Sequence, residues 1–196
     1  TIVMIYGVGA LLASNQSYRQ THNLQKAIDN LNFTIEDMAR TLRVGSGYVC
    51  GGAVSIVGED FPDVYSYDGI GFGGSNSCPG ADGGGGSIMF ESSEGDPEND
   101  NDQYGFLMLY HAGTNVAKLY KTVDGGVHWL IITPPSVVLN PLASGFIVTG
   151  ADTSVGASAD TLQPMVLIHL SGTVSYENIT SPFSLQTTVS QRALDL

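Results

Sequence analysis

Four acidic residues at alternate positions are the strongest candidates for chemistry in this sequence. Asp96, Glu98, Asp100 and Asp102 lie within residues 96–102, and carboxylates spaced in this way are typical of loops that bind calcium through oxygen ligands. The run lacks the central glycine and the distal glutamate of an EF-hand. We therefore predict a solvated turn and no cofactor, with a calcium loop as the alternative.

The other reactive side chains form no recognisable catalytic motif. The histidines are scattered along the chain, and no nucleophile elbow organises the serines, histidines and aspartates. The glycine-rich run at residues 78–87 lacks the Gly-Lys-Ser/Thr of a phosphate-binding loop. The sequence therefore predicts a protein that is not an enzyme.

The two cysteines, Cys50 and Cys78, flank a glycine-rich segment and show no spacing typical of zinc ligands. A disulfide between them would close a loop that contributes about 3–4 kcal/mol in the chain-entropy model. Such a bond would also place the domain outside the cytoplasm. The alternative is a pair of buried free thiols.

The net charge of −12 is unevenly distributed. Residues 1–43 carry four basic and three acidic residues, which leaves three basic and 16 acidic residues, a charge of −13, for residues 44–196. No basic stripe with interleaved aromatic residues is present, so we predict no direct nucleic-acid partner. The length and the 42% hydrophobic content predict one globular domain.

A single helix is predicted at the start of the chain, with two kinds of surface. Residues 1–13 are apolar and uncharged, whereas from residue 24 the apolar residues recur three or four positions apart. No proline or glycine interrupts residues 14–23, so the helix should reach Gly45 and measure roughly 60 Å. The apolar third is too short to span a bilayer, which needs about 20 residues.

Each surface of this helix has its own predicted partner. The apolar third should be buried in lipid or against other copies of the chain, and the amphipathic part should cover one face of a sheet. The residues predicted to form a filament core are Ile2, Val3, Met4, Ile5, Tyr6, Gly7, Val8, Gly9, Leu11 and Leu12. Those predicted for the core between helix and sheet are Leu24, Ile28, Leu31, Ile35, Met38, Leu42 and Trp129.

An antiparallel sheet is predicted within residues 87–192, after a loop at residues 48–87 that is bounded by the cysteines. Short runs rich in β-branched and aromatic residues are separated by turn residues. Asp124-Gly125-Gly126 predicts a tight hairpin, since glycine supplies the positive φ angles. The predicted strands cover residues 87–91, 104–110, 118–122, 128–132, 137–139, 146–148, 165–170 and 183–191.

This order of elements resembles the type IV pilin superfamily, including the pseudopilins. Residues 31–43 look like the end of the pilin helix, with the pattern Met38-x-Arg40-x-Leu42-Arg43. Residues 183–192 are similar to the last strand of pilins from candidate-phyla bacteria. The resemblance implies an α+β fold in which a long N-terminal helix, hydrophobic and then amphipathic, packs on a C-terminal antiparallel sheet domain. Residues 1–23 would protrude, and residues 24–196, with helix 24–43, would form the globular domain.

The chain departs from the family pattern at its beginning. Prepilins carry a Gly-Phe cleavage site and a glutamate at the fifth mature position, where this chain has Ile5 and no acid before Asp29. We expect Thr1 to lie about a dozen residues inside the family's helix, which would restore a membrane-spanning length.

The resemblance implies a structural function. The chain would be the major pilin of an extracellular, bacterial cell-surface filament of the type IV pilus kind, a helical homopolymer. Before assembly it would be anchored in the inner membrane and handled by the pilus assembly machinery. The alternatives are a minor pilin or pseudopilin of a secretion or DNA-uptake system and, in another class, a soluble calcium-binding adhesin module. Adhesion and motility both use filaments of similar subunits.

Overall fold

A computed structural model describes residues 2–56, 61–65, 77–78, 85–96, 99–114, 116–151, 162–176 and 179–192. Helix α1 spans Ile2–Val44 without interruption, so the polar residues 14–23 continue it as predicted. Three residues after the helix end, Gly47 has a φ of +61°, a conformation that glycine adopts without steric cost. Gly47 is the second residue of the first strand, at an irregularity in its pairing.

Strands make up most of the rest of the described chain. A short 3-10 helix, Asp100–Asp102, precedes the fifth strand. The strands are β1 (Ser46–Gly51), β2 (Val54–Ile56), β3 (Val64–Tyr65), β4 (Ser87–Glu91), β5 (Tyr104–His111), β6 (Val116–Thr122), β7 (Trp129–Ile131), β8 (Val137–Leu139), β9 (Gly145–Thr149), β10 (Met165–Tyr176) and β11 (Ile179–Ser190).

These strands form one sheet with the order β1-β4-β5-β6-β8-β10-β11. Strand β7 lies beside β6, β9 beside β10 and β3 beside β7, all antiparallel. Strand β2 pairs with β5 in parallel. The strands predicted between residues 87 and 191 are all present, with Ser87–Glu91 matching its predicted bounds.

The predicted fold class, a long helix packed on a small antiparallel sheet in the manner of type IV pilins, is wrong. The described chain has more strand than helix, with 66 residues in strands and 46 in helices, and its 11 strands form one nearly closed sheet. The main reason is that part of the predicted loop 48–87 joins the sheet. Its residues form β1, β2 and β3, and one of these strands pairs in parallel.

The sheet closes at a seam formed by Cys50, Cys78, Gly85, Phe146 and Val148. The predicted disulfide joins Cys50 of β1 to Cys78. Cys78 forms a β-bridge with Val148 of β9, with N···O distances of 2.9 and 3.3 Å. The Phe146 N–H donates to the Gly85 carbonyl at 2.9 Å. Through Cys78, the disulfide therefore links strand β1 to strand β9.

The predicted hairpin at residues 124–126 joins β6 to β7. Gly125 and Gly126 have φ angles of +68° and +91°, as a tight turn requires. The Asp124 carboxylate accepts hydrogen bonds from the His128 N–H at 3.0 Å and from the Thr122 hydroxyl at 2.7 Å. Burial acts to raise the pKa of Asp124, but these bonds and the nearby His128 ring outweigh it and lower the pKa.

Apolar side chains are buried on both faces of the sheet. The main core lies under α1 and contains Phe106 and Phe146 together with buried residues of β10. A second core on strands β4 to β7 contains Met89, Leu107, Leu109, Tyr120 and Trp129. Trp129 is fully buried, but the prediction that it packs under the helix is wrong, because it belongs to the second core.

The helix stripe is rotated slightly from its predicted position. Leu31, Met38 and Leu42 are buried, and Leu24 and Ile35 are half-buried against the main core. Ile28 is 39% exposed, so its assignment to the core is wrong, and its neighbour Ala27 is buried instead. A shift of one residue moves a side chain by about 100° around a helix, which is enough to exchange these two positions.

Candidate assembly surface

The C-terminal half of α1 is attached to the sheet by polar contacts as well as by its apolar stripe. The Lys121 ammonium on β6 lies 2.8 Å from the Asp37 carboxylate. The Arg192 N–H donates to the Arg43 carbonyl at 2.8 Å. This last bond satisfies one of the carbonyls that every helix leaves unpaired at its C-terminus.

A buried tyrosine completes the cap at this end of the helix. The Tyr48 hydroxyl donates to the Gly45 carbonyl at 3.0 Å and lies in hydrogen-bond contact with the Leu42 carbonyl. Its side chain is 1% exposed, so water cannot replace these bonds. The end of α1 is therefore fixed relative to β1.

Replacing Tyr48 by Phe should destabilise the domain by about 1–2 kcal/mol, because the substitution removes the hydroxyl that donates to the buried Gly45 carbonyl. Tyr18→Phe is the matched control, since Tyr18 is 71% exposed and its change should cost nothing measurable. Urea unfolding of both variants measures the difference. Equal midpoints for the two variants would show that the Tyr48 hydroxyl does not hold the helix end.

The N-terminal half of α1, residues 2–23, projects from the domain. Leu11 is 73% and Tyr18 71% exposed, and residues 14–19 are all exposed. Among the side chains that the structure describes, that of Ala27 is the first buried one along the helix. This segment, residues 2–23, is termed the projecting half. At 1.5 Å per residue it is about 33 Å long.

The predicted filament-core residues all lie on this projecting half. Gly9 and Leu11 are exposed there. The other predicted members are helical in the backbone, but their side chains are outside the described residues: Ile2, Val3, Met4, Ile5, Tyr6, Gly7, Val8 and Leu12. Their burial in a filament stays a prediction. Among the residues that the structure describes, no helix combines the length and the hydropathy needed to cross a membrane.

The acidic run does not form a metal site within the described residues. The Asp102 carboxylate accepts the Asp96 N–H at 2.9 Å, which closes the loop on itself. Glu98 and the side chain of Asp100 lie outside the described residues. No group of three or more His, Cys, Asp or Glu side chains is placed to hold a metal in the part of the chain that is described.

A groove of about 660 Å³ lies between α1 and residues 131–135. Phe33, 72% exposed, stands at its helix side. Lys118 lines the groove but donates to the carbonyls of Pro134 at 3.2 Å, Pro135 at 3.1 Å and Val137. Burial lowers the pKa of Lys118. Because an ammonium has three donors, Lys118 holds this loop in place and has no donor left for a ligand.

The phenol beside this groove is also fully used. Tyr120 is buried, and its hydroxyl donates to the Pro62 carbonyl at 2.6 Å. Burial and the Asp63 carboxylate raise the pKa of Tyr120 to about 12. Neither Lys118 nor Tyr120 is therefore available as a base or a nucleophile, because both are engaged in hydrogen bonds to backbone carbonyls. No local sequence pattern indicates the Lys118 contacts, because they depend on a turn that the fold brings beside β6.

Comparison of the chain with protein-family models, with curated proteins and with solved structures found no match.

Proposed function

We propose that this chain is the structural subunit of an extracellular filament and that it polymerises through the uncharged part of the projecting half of α1, residues 2–13. The observation that carries the proposal is the contrast between the two halves of one helix. The C-terminal half is packed and capped, whereas every described side chain before residue 24 is exposed.

The cost of leaving such a surface in water favours assembly. Residues 1–13 contain no charged residue, and burying one Leu, Ile, Val or Met side chain contributes about 1.5–3 kcal/mol. Helices packed side by side from successive copies would bury these residues. Contacts of this kind between different surfaces do not close on themselves, so they generate a helical polymer.

Charge and redox chemistry support the same arrangement. With a charge of −13 on residues 44–196, the sheet domains would repel one another at short range and would lie on the outside of the fibre. The Cys50–Cys78 disulfide is of a type that persists in oxidising compartments. We propose an extracellular location and a structural function for these reasons. The proposal does not depend on the pilin fold.

Electron microscopy of two single-residue variants tests the proposal. Leu11→Asp places a charge in the uncharged segment and should reduce the sedimentable, fibrous fraction at least tenfold, because a carboxylate buried between helices has no partner. Thr21→Asp is the matched control in the polar part of the same helix, where Thr21 is exposed, and should leave fibres intact. Fibres of unchanged diameter from Leu11→Asp would overturn the proposal.

A further inference from the structure

The groove between α1 and residues 131–135 presents apolar side chains to solvent. Its volume of about 660 Å³ lies within the range of about 300–1,000 Å³ that is common for binding clefts. Phe33 on its helix side is 72% exposed, and Phe61, Ile131 and Ile132 line it as half-buried side chains. Exposed apolar surface that is gathered in one place marks a site of interaction with a partner.

The charges at this groove exclude an anionic occupant. The Lys118 ammonium donates to three backbone carbonyls and has no donor left for a ligand. The Asp63 carboxylate is exposed at the same groove, and residues 44–196 carry a charge of −13, so an anion would be repelled. The groove therefore suits an uncharged, apolar segment.

The beginning of α1 is such a segment, and it cannot reach the groove of its own copy. Residues 1–13 carry no charge, and Leu11 is 73% exposed. Helix α1 is continuous over Ile2–Val44, so the middle of residues 2–13 stays about 37 Å along the helix from the middle of residues 30–34. Only another copy can bring the segment and the groove together.

We propose that residues 2–13 of one copy dock into this groove of a second copy. The inference rests on the proposed function and names the acceptor surface for that assembly. Because α1 forms one wall of the groove, the docked segment would lie beside it at an interaxial distance of about 8–10 Å. An apolar segment that fits a pocket elsewhere on the same molecule makes a heterologous contact, which generates an open polymer.

The dimensions of the subunit agree with a parallel arrangement of the two helices. Docking would displace successive copies by about 37 Å along α1. A domain of the size of residues 24–196 has a radius of gyration of about 16 Å and is about 40 Å across, so neighbouring sheet domains would come into contact at this spacing. An antiparallel pair would instead exchange segments and close as a dimer, so fibre formation by the unsubstituted chain identifies the parallel arrangement.

A single charge in the groove tests the acceptor surface. Phe33→Asp should reduce the sedimentable, fibrous fraction at least tenfold, because a buried carboxylate has no partner there. The exposure of Phe33 means that the domain should keep its native circular dichroism. Leu142→Asp is the matched control, since Leu142 is 82% exposed and does not line the groove, and it should leave fibres intact. Equal fibre yields from the two variants would overturn the inference.

Mixing two variants that do not assemble tests the pairing of segment and groove directly. Leu11→Asp keeps an intact groove, and Phe33→Asp keeps an intact segment. Each should be monomeric alone, whereas an equimolar mixture should give a 1:1 heterodimer that cannot grow further, as measured by light scattering. A mixture that stays monomeric would show that another ligand occupies the groove.

Failure of this inference is distinguishable from failure of the proposed function. If Leu11→Asp still forms fibres, the projecting half does not drive assembly and both fail. If Leu11→Asp loses its fibres while Phe33→Asp keeps them, the apolar segments pack against one another and only the groove is wrongly assigned.

Discussion

Removing residues 1–17 should convert an assembling protein into a monomer whose sheet domain still unfolds cooperatively at an unchanged temperature. The described side chains in that segment are exposed, so their loss removes no packing from either core. The segment also contains residues 1–13, the uncharged stretch that we propose is buried against helices of other copies. Light scattering measures the mass of the truncated protein, and calorimetry measures its unfolding midpoint.

The full chain carrying Thr21→Asp serves as the reference for this truncation, because it keeps the apolar segment and should still assemble. If the truncated protein formed fibres of the same diameter, the sheet domains would have to carry the assembly and our account of α1 would be wrong. A large drop in the unfolding midpoint would contradict the structural separation of the two helix halves.

Replacing Cys50 and Cys78 together by Ala should lower the free energy of unfolding by about 3–4 kcal/mol. The two residues are 28 positions apart, and opening a loop of that length releases this much chain entropy in the unfolded state. For a domain of this size the midpoint should fall by about 10 °C. The pairing of Cys78 with Val148 at the seam should be the first structure to open.

Reduction provides the internal comparison for this prediction. The unsubstituted protein treated with a thiol reductant should match the double variant, and the double variant should not respond to reductant. Two alkylated thiols in exported, unreduced protein would disprove the bond. Equal midpoints with and without reductant would show that the seam is held by its hydrogen bonds alone.

The elements with strong local signals could be predicted from sequence. Helix α1 was correctly predicted as continuous because neither proline nor glycine interrupts residues 14–23. The β6–β7 hairpin followed from Asp124-Gly125-Gly126, whose backbone requirement is local. In each case the deciding interaction lies within a few residues along the chain.

Features that depend on distant partners could not be predicted. Strands β1 and β2 are only six and three residues long, and they form because β4 and β5 lie beside them. Trp129 sits on a strand of a sheet that is buried on both faces, so an apolar residue alone does not indicate which core it joins. The choice between Ala27 and Ile28 depended on a small rotation of α1 on the sheet.

The candidate assembly surface stays a prediction from sequence, since an uncharged run of 13 residues is visible without any structure. The seam had no such signal, because the pairing of Cys78 with Val148 joins residues 70 positions apart. Charge and hydropathy therefore indicate where the chain needs a partner, whereas backbone pairing requires coordinates.

The attachment of α1 determines how a subunit would respond to mechanical tension. A pull along a fibre would enter each sheet domain at Arg43, which continues directly into β1 and is bonded to Arg192 at the end of β11. The disulfide lies just beyond that point and excludes the 27 residues between Cys50 and Cys78 from unravelling. At about 3.4 Å per extended residue, and with the bridged Cα atoms 6.0 Å apart, a stretched subunit would lengthen by about 90 Å less than its reduced form. A fibre of such subunits would limit its own extension in an oxidising environment.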